Sequence, residues 1–161
     1  RDEIRRIHRN PNLLITTMFD YYAFPKDAPG IATVTDVDGL EKTIASDIGC
    51  DRVIFNLMKY EFEALLFSDV SAFKTQFPKA YPKLKEIKDR YGCPEDINNS
   101  PQTAPSKRIY NLIPGYMKAN DGIPIAETIG IETMMAECPH FKKWIDKIIN
   151  DERLGSHLGN R

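Results

Sequence analysis

The sequence predicts an α/β fold, on three observations. Leu13-Leu14-Ile15-Thr16-Thr17-Met18-Phe19 and Arg52-Val53-Ile54-Phe55-Asn56-Leu57-Met58 are short apolar runs rich in β-branched and aromatic residues, the pattern of buried strands. Apolar residues also recur at helical spacing: Leu40, Ile44 and Ile48; Phe62, Leu65 and Leu66; Phe141, Trp144, Ile145, Ile148 and Ile149. Finally, each strand-like run leads to an acid, Asp20 after the first and Glu61 after the second. In open α/β sheets, ligands and metals collect at the carboxyl ends of strands. The expected architecture is a small central, mostly parallel sheet with strands at 13–19 and 52–58, covered by helices, in a single domain spanning 1–161.

The composition bounds the function. A chain of 161 residues can bury a real core, and 42% hydrophobic with 28% charged residues is ordinary globular usage. A net charge of -1 excludes a global pull toward nucleic acid or membrane, so any nucleic-acid contact must come from a local patch. Cys50, Cys93 and Cys138 are odd in number and far apart, which argues against a zinc site or disulfide framework and fits a reducing cytoplasm. No signal peptide and no bilayer-spanning apolar stretch is visible. The opening Arg1-Asp2-Glu3-Ile4 lacks methionine and already reads as mid-domain helix, so a preceding strand is expected outside this sequence.

In chain order, Asp2 to Arg9 reads as a short amphipathic helix ended by Asn10-Pro11. After the first strand, Phe24 to Gly30 is loop, with Pro25, Pro29 and Gly30. Asp36 and Asp38 form an Asp-x-Asp pair that caps the next helix or, alternatively, binds metal; a cap accepts from the free N–H groups of the first turn. Behind the second strand the chain turns helical around Glu61 to Glu63. Val70 to Tyr91 reads as two helices broken near Pro78 or Pro82, and Cys93 to Pro101 as a polar connection. A helix starts at Thr103 to Ile109, with Thr103 as cap and Pro105 in its first turn. Gly115 to Pro124 is loop, Pro124 to Thr128 a short helix stopped by Gly130, and Pro139 opens the last helix. His140 at its start is a capping or surface residue, or a ligand. From Asp151 onward the tail is expected to fray.

The polar residues suggest one chemistry. Phosphodiester cleavage with Mg²⁺ (or Mn²⁺) needs one or two carboxylates on the ion and cations that hold phosphate. Asp20 and Glu61 are the candidate metal ligands. Glu63 joins them as a candidate catalytic carboxylate, with the solvated helix face as the alternative. Lys107 and Arg108, with Ser106, stand near the positive end of a helix dipole, a placement suited to an anion; the alternative for the two cations is a solvated surface. No serine–histidine or cysteine–histidine pairing and no phosphate-cradling glycine loop is evident.

Four blocks carry a family resemblance: Thr16-Thr17-Met18-Phe19-Asp20-Tyr21-Tyr22, Glu61 to Asp69, Thr103 to Ile109, and Cys138-Pro139-His140-Phe141. In this order, over about residues 12 to 149, the sequence resembles the bacterial domain of unknown function family 4276. The resemblance implies a Toprim-like fold, metal dependence, nuclease activity on nucleic acid and partnership with an ATPase encoded nearby in bacterial defence loci. The family's first strand, with a glycine and glutamate motif, has no counterpart here. Tyr60 stands where the family commonly has histidine, and Asp20 followed by Tyr22 is not a full Asp-x-Asp. The competing expectation is a non-catalytic module that docks an ATPase and uses Glu61 and Arg108 as a structural ion pair.

Overall fold

The computed structural model describes residues 2–7, 13–22, 24–50, 52–97 and 102–152. It is a mixed α/β chain that divides into two compact units, Arg1–Met58 with Lys143–Arg161, and Lys59–Lys142.

The first unit holds the strands. β1 (Ile15–Thr16) and β2 (Phe19–Asp20) come from the first apolar run, β3 (Val53–Ile54) and β4 (Leu57–Met58) from the second. β1 pairs with β3 and β2 with β4, both in parallel, with Ile15 opposite Val53 and Asp20 opposite Met58. The backbone bonds Ile15 N–H to Arg52 O, Thr17 to Ile54, Phe19 to Asn56 and Tyr21 to Met58 keep one offset throughout. The two expected strands are therefore parallel neighbours whose ladder is interrupted once. Thr17 causes the interruption: its hydroxyl accepts the Asn56 N–H at 2.9 Å and donates to the Asn56 carbonyl at 3.1 Å, where a backbone carbonyl would otherwise serve.

Helices flank this ladder. α1 (Asp2–Ile7) brings Ile4 against the core, while its expected stop at Asn10-Pro11 lies outside the described residues. In α2 (Val37–Ile48), Leu40, Ile44 and Ile48 pack on Val53, Phe55 and Leu57. Asp36 is the cap, its Oδ1 accepting from Gly39 N–H at 2.7 Å, and Gly49 at φ 68° closes the helix in the left-handed conformation that glycine adopts without strain. Asp38 instead pairs with Lys143. Glu41 is buried, and its Oε1 accepts the Leu57 N–H at 2.8 Å. α7 (Pro139–Ile149) enters this unit at Lys143, and Trp144 donates from Nε1 to the Thr16 hydroxyl at 2.7 Å.

The second unit is helical. Its core is Leu65, Leu66, Phe67, Phe73, Leu84, Ile97, Ile109 and Ile125, all essentially inaccessible. Two 3₁₀ turns (Phe62–Phe67 and Val70–Phe73) precede α3 (Tyr81–Tyr91), α4 (Pro105–Leu112), α5 (Ile123–Ile129) and α6 (Ile131–Glu137). The expected helix after Glu61 is thus a 3₁₀ turn, and Asp69 restarts the chain by accepting Ser71 N–H at 2.8 Å. The break foreseen between Val70 and Tyr91 falls ahead of Tyr81, with Pro82 in the first turn of α3, where a missing N–H leaves no bond unmade. α6 was not foreseen: Gly130, at φ 79°, ends α5 and lets a further seven-residue helix begin at once. In the stretch expected as loop before α5, Lys118–Gly122 winds into one wide helical turn.

Candidate functional site

The predicted acids of the second unit are set by a backbone turn. Tyr60 has φ 73°, a region that residues with a side chain rarely adopt. This sharp turn leaves Glu61 extended, with Glu63 in the first turn of the following 3₁₀ segment. Both are buried, at 6% and 4% exposure. The solvated-face alternative for Glu63 is corrected by this burial, because the 3₁₀ turn packs five of its six residues inward.

Each carboxylate has a different partner. Glu61 Oε2 accepts the Ser106 N–H at 2.9 Å, so a side chain 45 residues upstream serves the first turn of α4. Thr103 is accordingly not the cap; the residue before α4 is Ala104, with no side-chain cap bond. Lys118 Nζ lies 3.5 Å from Glu63 Oε2 and 5.0 Å over the Phe62 ring. Burial pushes the Glu63 carboxyl above its ordinary range; Lys118 pulls it back, and the Glu61 charge adds to the rise.

Tyr116 completes this cluster. Its hydroxyl is buried and has no hydrogen-bond partner among the described residues, and burial, then the Glu63 charge, push its ionisation well above the usual phenol range. Gly122 makes room for it, since a Cβ there would stand 2.4 Å from the hydroxyl oxygen. Lys118 and Tyr116 were not foreseen. Their stretch, Gly115 to Pro124, has turn residues and no apolar period, so nothing local signals that it returns to Glu63.

The remaining predicted residues fall in three places. Lys107 is exposed on α4, and Ser106 is buried with its N–H on Glu61. Arg108 donates from Nε to Thr103 O and from Nη2 to Tyr91 Oη, each at 2.6 Å, with its guanidinium 5.0 Å over the Tyr91 ring. It ties α4 to α3, and among the described residues it does not pair with Glu61. Asp20 belongs to the first unit, half-buried at the end of β2 opposite Met58. His140 donates its backbone N–H to Glu95 Oε2 at 2.8 Å, and Phe141 N–H to Glu95 Oε1 at 2.8 Å. Glu95, 2% exposed, is thus a two-pronged cap on α7 that no local pattern announced.

A family model described as Domain of unknown function (DUF4276) matches residues 1–149. The chain belongs to the DUF4276 family. No curated protein and no solved structure matches it. In this DUF4276 chain the four resembling blocks are the end of β2 at Asp20, the turn at Glu61 with the buried run after it, the start of α4, and the start of α7. Among the described residues, no helix is long and apolar enough to cross a membrane.

Proposed function

We propose that this DUF4276 protein is a Toprim-like, Mg²⁺-dependent (or Mn²⁺-dependent) nuclease subunit that works in the cytoplasm with an ATPase in bacterial defence. The observation that carries the reading is a charge imbalance. Two carboxylates, Glu61 and Glu63, are buried two residues apart, and among the described residues the cation paired with them is Lys118, on Glu63. Burying carboxylates without matching positive charge is costly, and a divalent ion relieves it through hard oxygen ligands. The Tyr116 hydroxyl, a buried donor without a partner among the described residues, fits the same need, since a metal-bound water would satisfy it.

Glu61 would hold the ion, with Glu63 supporting. A bound Mg²⁺ supplies charge stabilisation for a phosphodiester and lowers the pKa of water. Glu63, beside that ion, would accept a proton from the attacking water. The exposed Lys107 offers a cation for phosphate, while Arg108 holds α4 in place through Thr103 and Tyr91.

A second reading is favoured by the Glu61–Ser106 bond, which gives Glu61 a purely architectural task. On that reading the chain is a non-catalytic module that docks the ATPase. The protein should cleave DNA or RNA with Mg²⁺ and lose this with EDTA. Glu61→Gln should abolish cleavage with an unchanged far-UV spectrum, and Glu63→Gln should reduce it roughly 10- to 100-fold. Undiminished cleavage in Glu61→Gln would remove the catalytic reading and leave the docking module.

A further inference from the structure

In the second unit, positive charge is concentrated on one stretch. From Lys74 to Arg90 the chain carries six lysine and arginine residues against Glu86 and Asp89, a surplus of four positive charges in a protein whose net charge is -1. Half of these cations are paired with acids. Lys83 meets Glu86 at 2.7 Å and Lys85 meets Asp89 at 2.6 Å, both pairs exposed, and Lys88 meets Glu137 at 3.2 Å. Lys74 stands 4.4 Å over the Tyr81 ring and keeps its charge. Lys79 and Arg90 are exposed, with no partner among the described residues.

The helix brings these cations into line. Tyr81 N–H bonds to Phe77 O and Leu84 N–H to Ala80 O, so the chain is already wound ahead of α3. Residues four and seven apart share a helix face, which puts Lys79, Lys83 and Arg90 in one row, with Glu86, the partner of Lys83, between them. The row is roughly 16 Å long at the rise of an α-helix. It leads on to α4. Arg108 Nη2 donates to Tyr91 Oη at 2.6 Å, and the residues that flank this bond in sequence, Arg90 and Lys107, are both exposed cations. One residue before Lys107, Ser106 gives its N–H to Glu61.

We propose that this row is the track on which the sugar–phosphate backbone of a nucleic acid lies, bringing a phosphate to the turn at Glu61 and Glu63. The inference rests on the nuclease reading for its purpose and adds where the substrate is held. Two observations select this partner. Each strand of a duplex offers one phosphate per about 3.4 Å of axis, so several fall within the row, and exposed ion pairs such as Lys83–Glu86 are weak enough to be exchanged for them. None of the large exposed apolar residues lies between positions 74 and 90. A protein partner needs buried apolar anchors, and a membrane surface needs apolar side chains to insert. A row of phosphates needs neither.

The test is fluorescence anisotropy of labelled DNA and RNA duplexes of about 20 base pairs with the 161-residue chain, in EDTA so that cleavage plays no part. Binding should saturate at about 50 mM salt and weaken as salt rises, with a log–log slope of about -3. Lys79→Glu with Arg90→Glu should weaken it at least about tenfold and take about two from that slope. Lys26→Glu with Lys42→Glu, at two exposed sites of the first unit, changes the net charge equally and should leave binding within about twofold. All four substitutions are on the surface, and far-UV spectra check that the fold is kept. No saturable binding to either duplex would overturn the proposal. So would an equal loss in the two double variants, which would make the attraction one of bulk charge, or tighter binding to phosphatidylserine vesicles than to the duplexes, which would assign the row to a membrane. Binding that needs Lys79 and Arg90 but gives no cleavage in Mg²⁺ would strike the nuclease reading alone; cleavage indifferent to both residues would strike the track alone.

Discussion

At Glu63, burial and charge pull in opposite directions. Desolvation raises its carboxyl above the ordinary 4.5, Lys118 lowers it, and the net shift is upward. The folded state therefore holds a proton that the unfolded chain has released, across the window from 4.5 to the raised value. The stability that Glu63 contributes is then fully present below that window and is lost as pH rises through it. In metal-free protein, urea midpoints from pH 4 to 8 should show this decline in the wild type and lose it in Glu63→Gln. Lys118→Met removes the opposing charge and should carry the decline to higher pH. Glu95 tests a different residue-scale effect. Its two oxygens each accept one N–H of α7 at 2.8 Å, in a buried setting. Glu95→Ala should lose about 2–3 kcal/mol in denaturant unfolding, since charge-assisted bonds are removed and two N–H groups are left unsatisfied.

Among the elements, the parallel ladder was the most legible. Two apolar runs of similar length, each leading to an acid, indicated strands at 13–19 and 52–58, and the register puts them side by side. α2 and α7 were equally legible, because Asp36 and Pro139 mark their starts and Leu40, Ile44, Ile48 and Phe141, Trp144, Ile145, Ile148 keep helical spacing. The interruption at Thr17 was not legible. A threonine inside an apolar run looks like a good strand residue, and only its partner 39 residues away shows that the hydroxyl enters the ladder. Thr17→Val keeps the shape and removes that hydroxyl, leaving a buried Asn56 N–H without an acceptor. It should lose about 1–3 kcal/mol, again read by denaturant unfolding. α4 shows the same limit: its first turn is served by Glu61, and no spacing rule connects residues 45 apart.

Across the molecule, a net charge of -1 gives nucleic acid no bulk attraction, so a nuclease built on this chain depends on a local centre. The candidate residues were visible in the sequence as types and positions: Asp20 and Glu61 after strands, Glu63 in the turn, Lys107 and Arg108 on a helix. What could not be read was how their charges are matched. Lys118 and Tyr116 come to Glu63 from a stretch without periodicity, and Arg108 turns to Tyr91 and Thr103. The central claim is that Glu61 and Glu63 are under-compensated acids that hold a divalent ion. Calorimetric titration of Mn²⁺ and Mg²⁺ into the protein at pH 8, alongside Glu61→Gln, tests it most directly. The account predicts saturable binding in the wild type and at least about tenfold weaker binding in Glu61→Gln. Equal affinity in the two proteins, or no saturable heat in either, would contradict it.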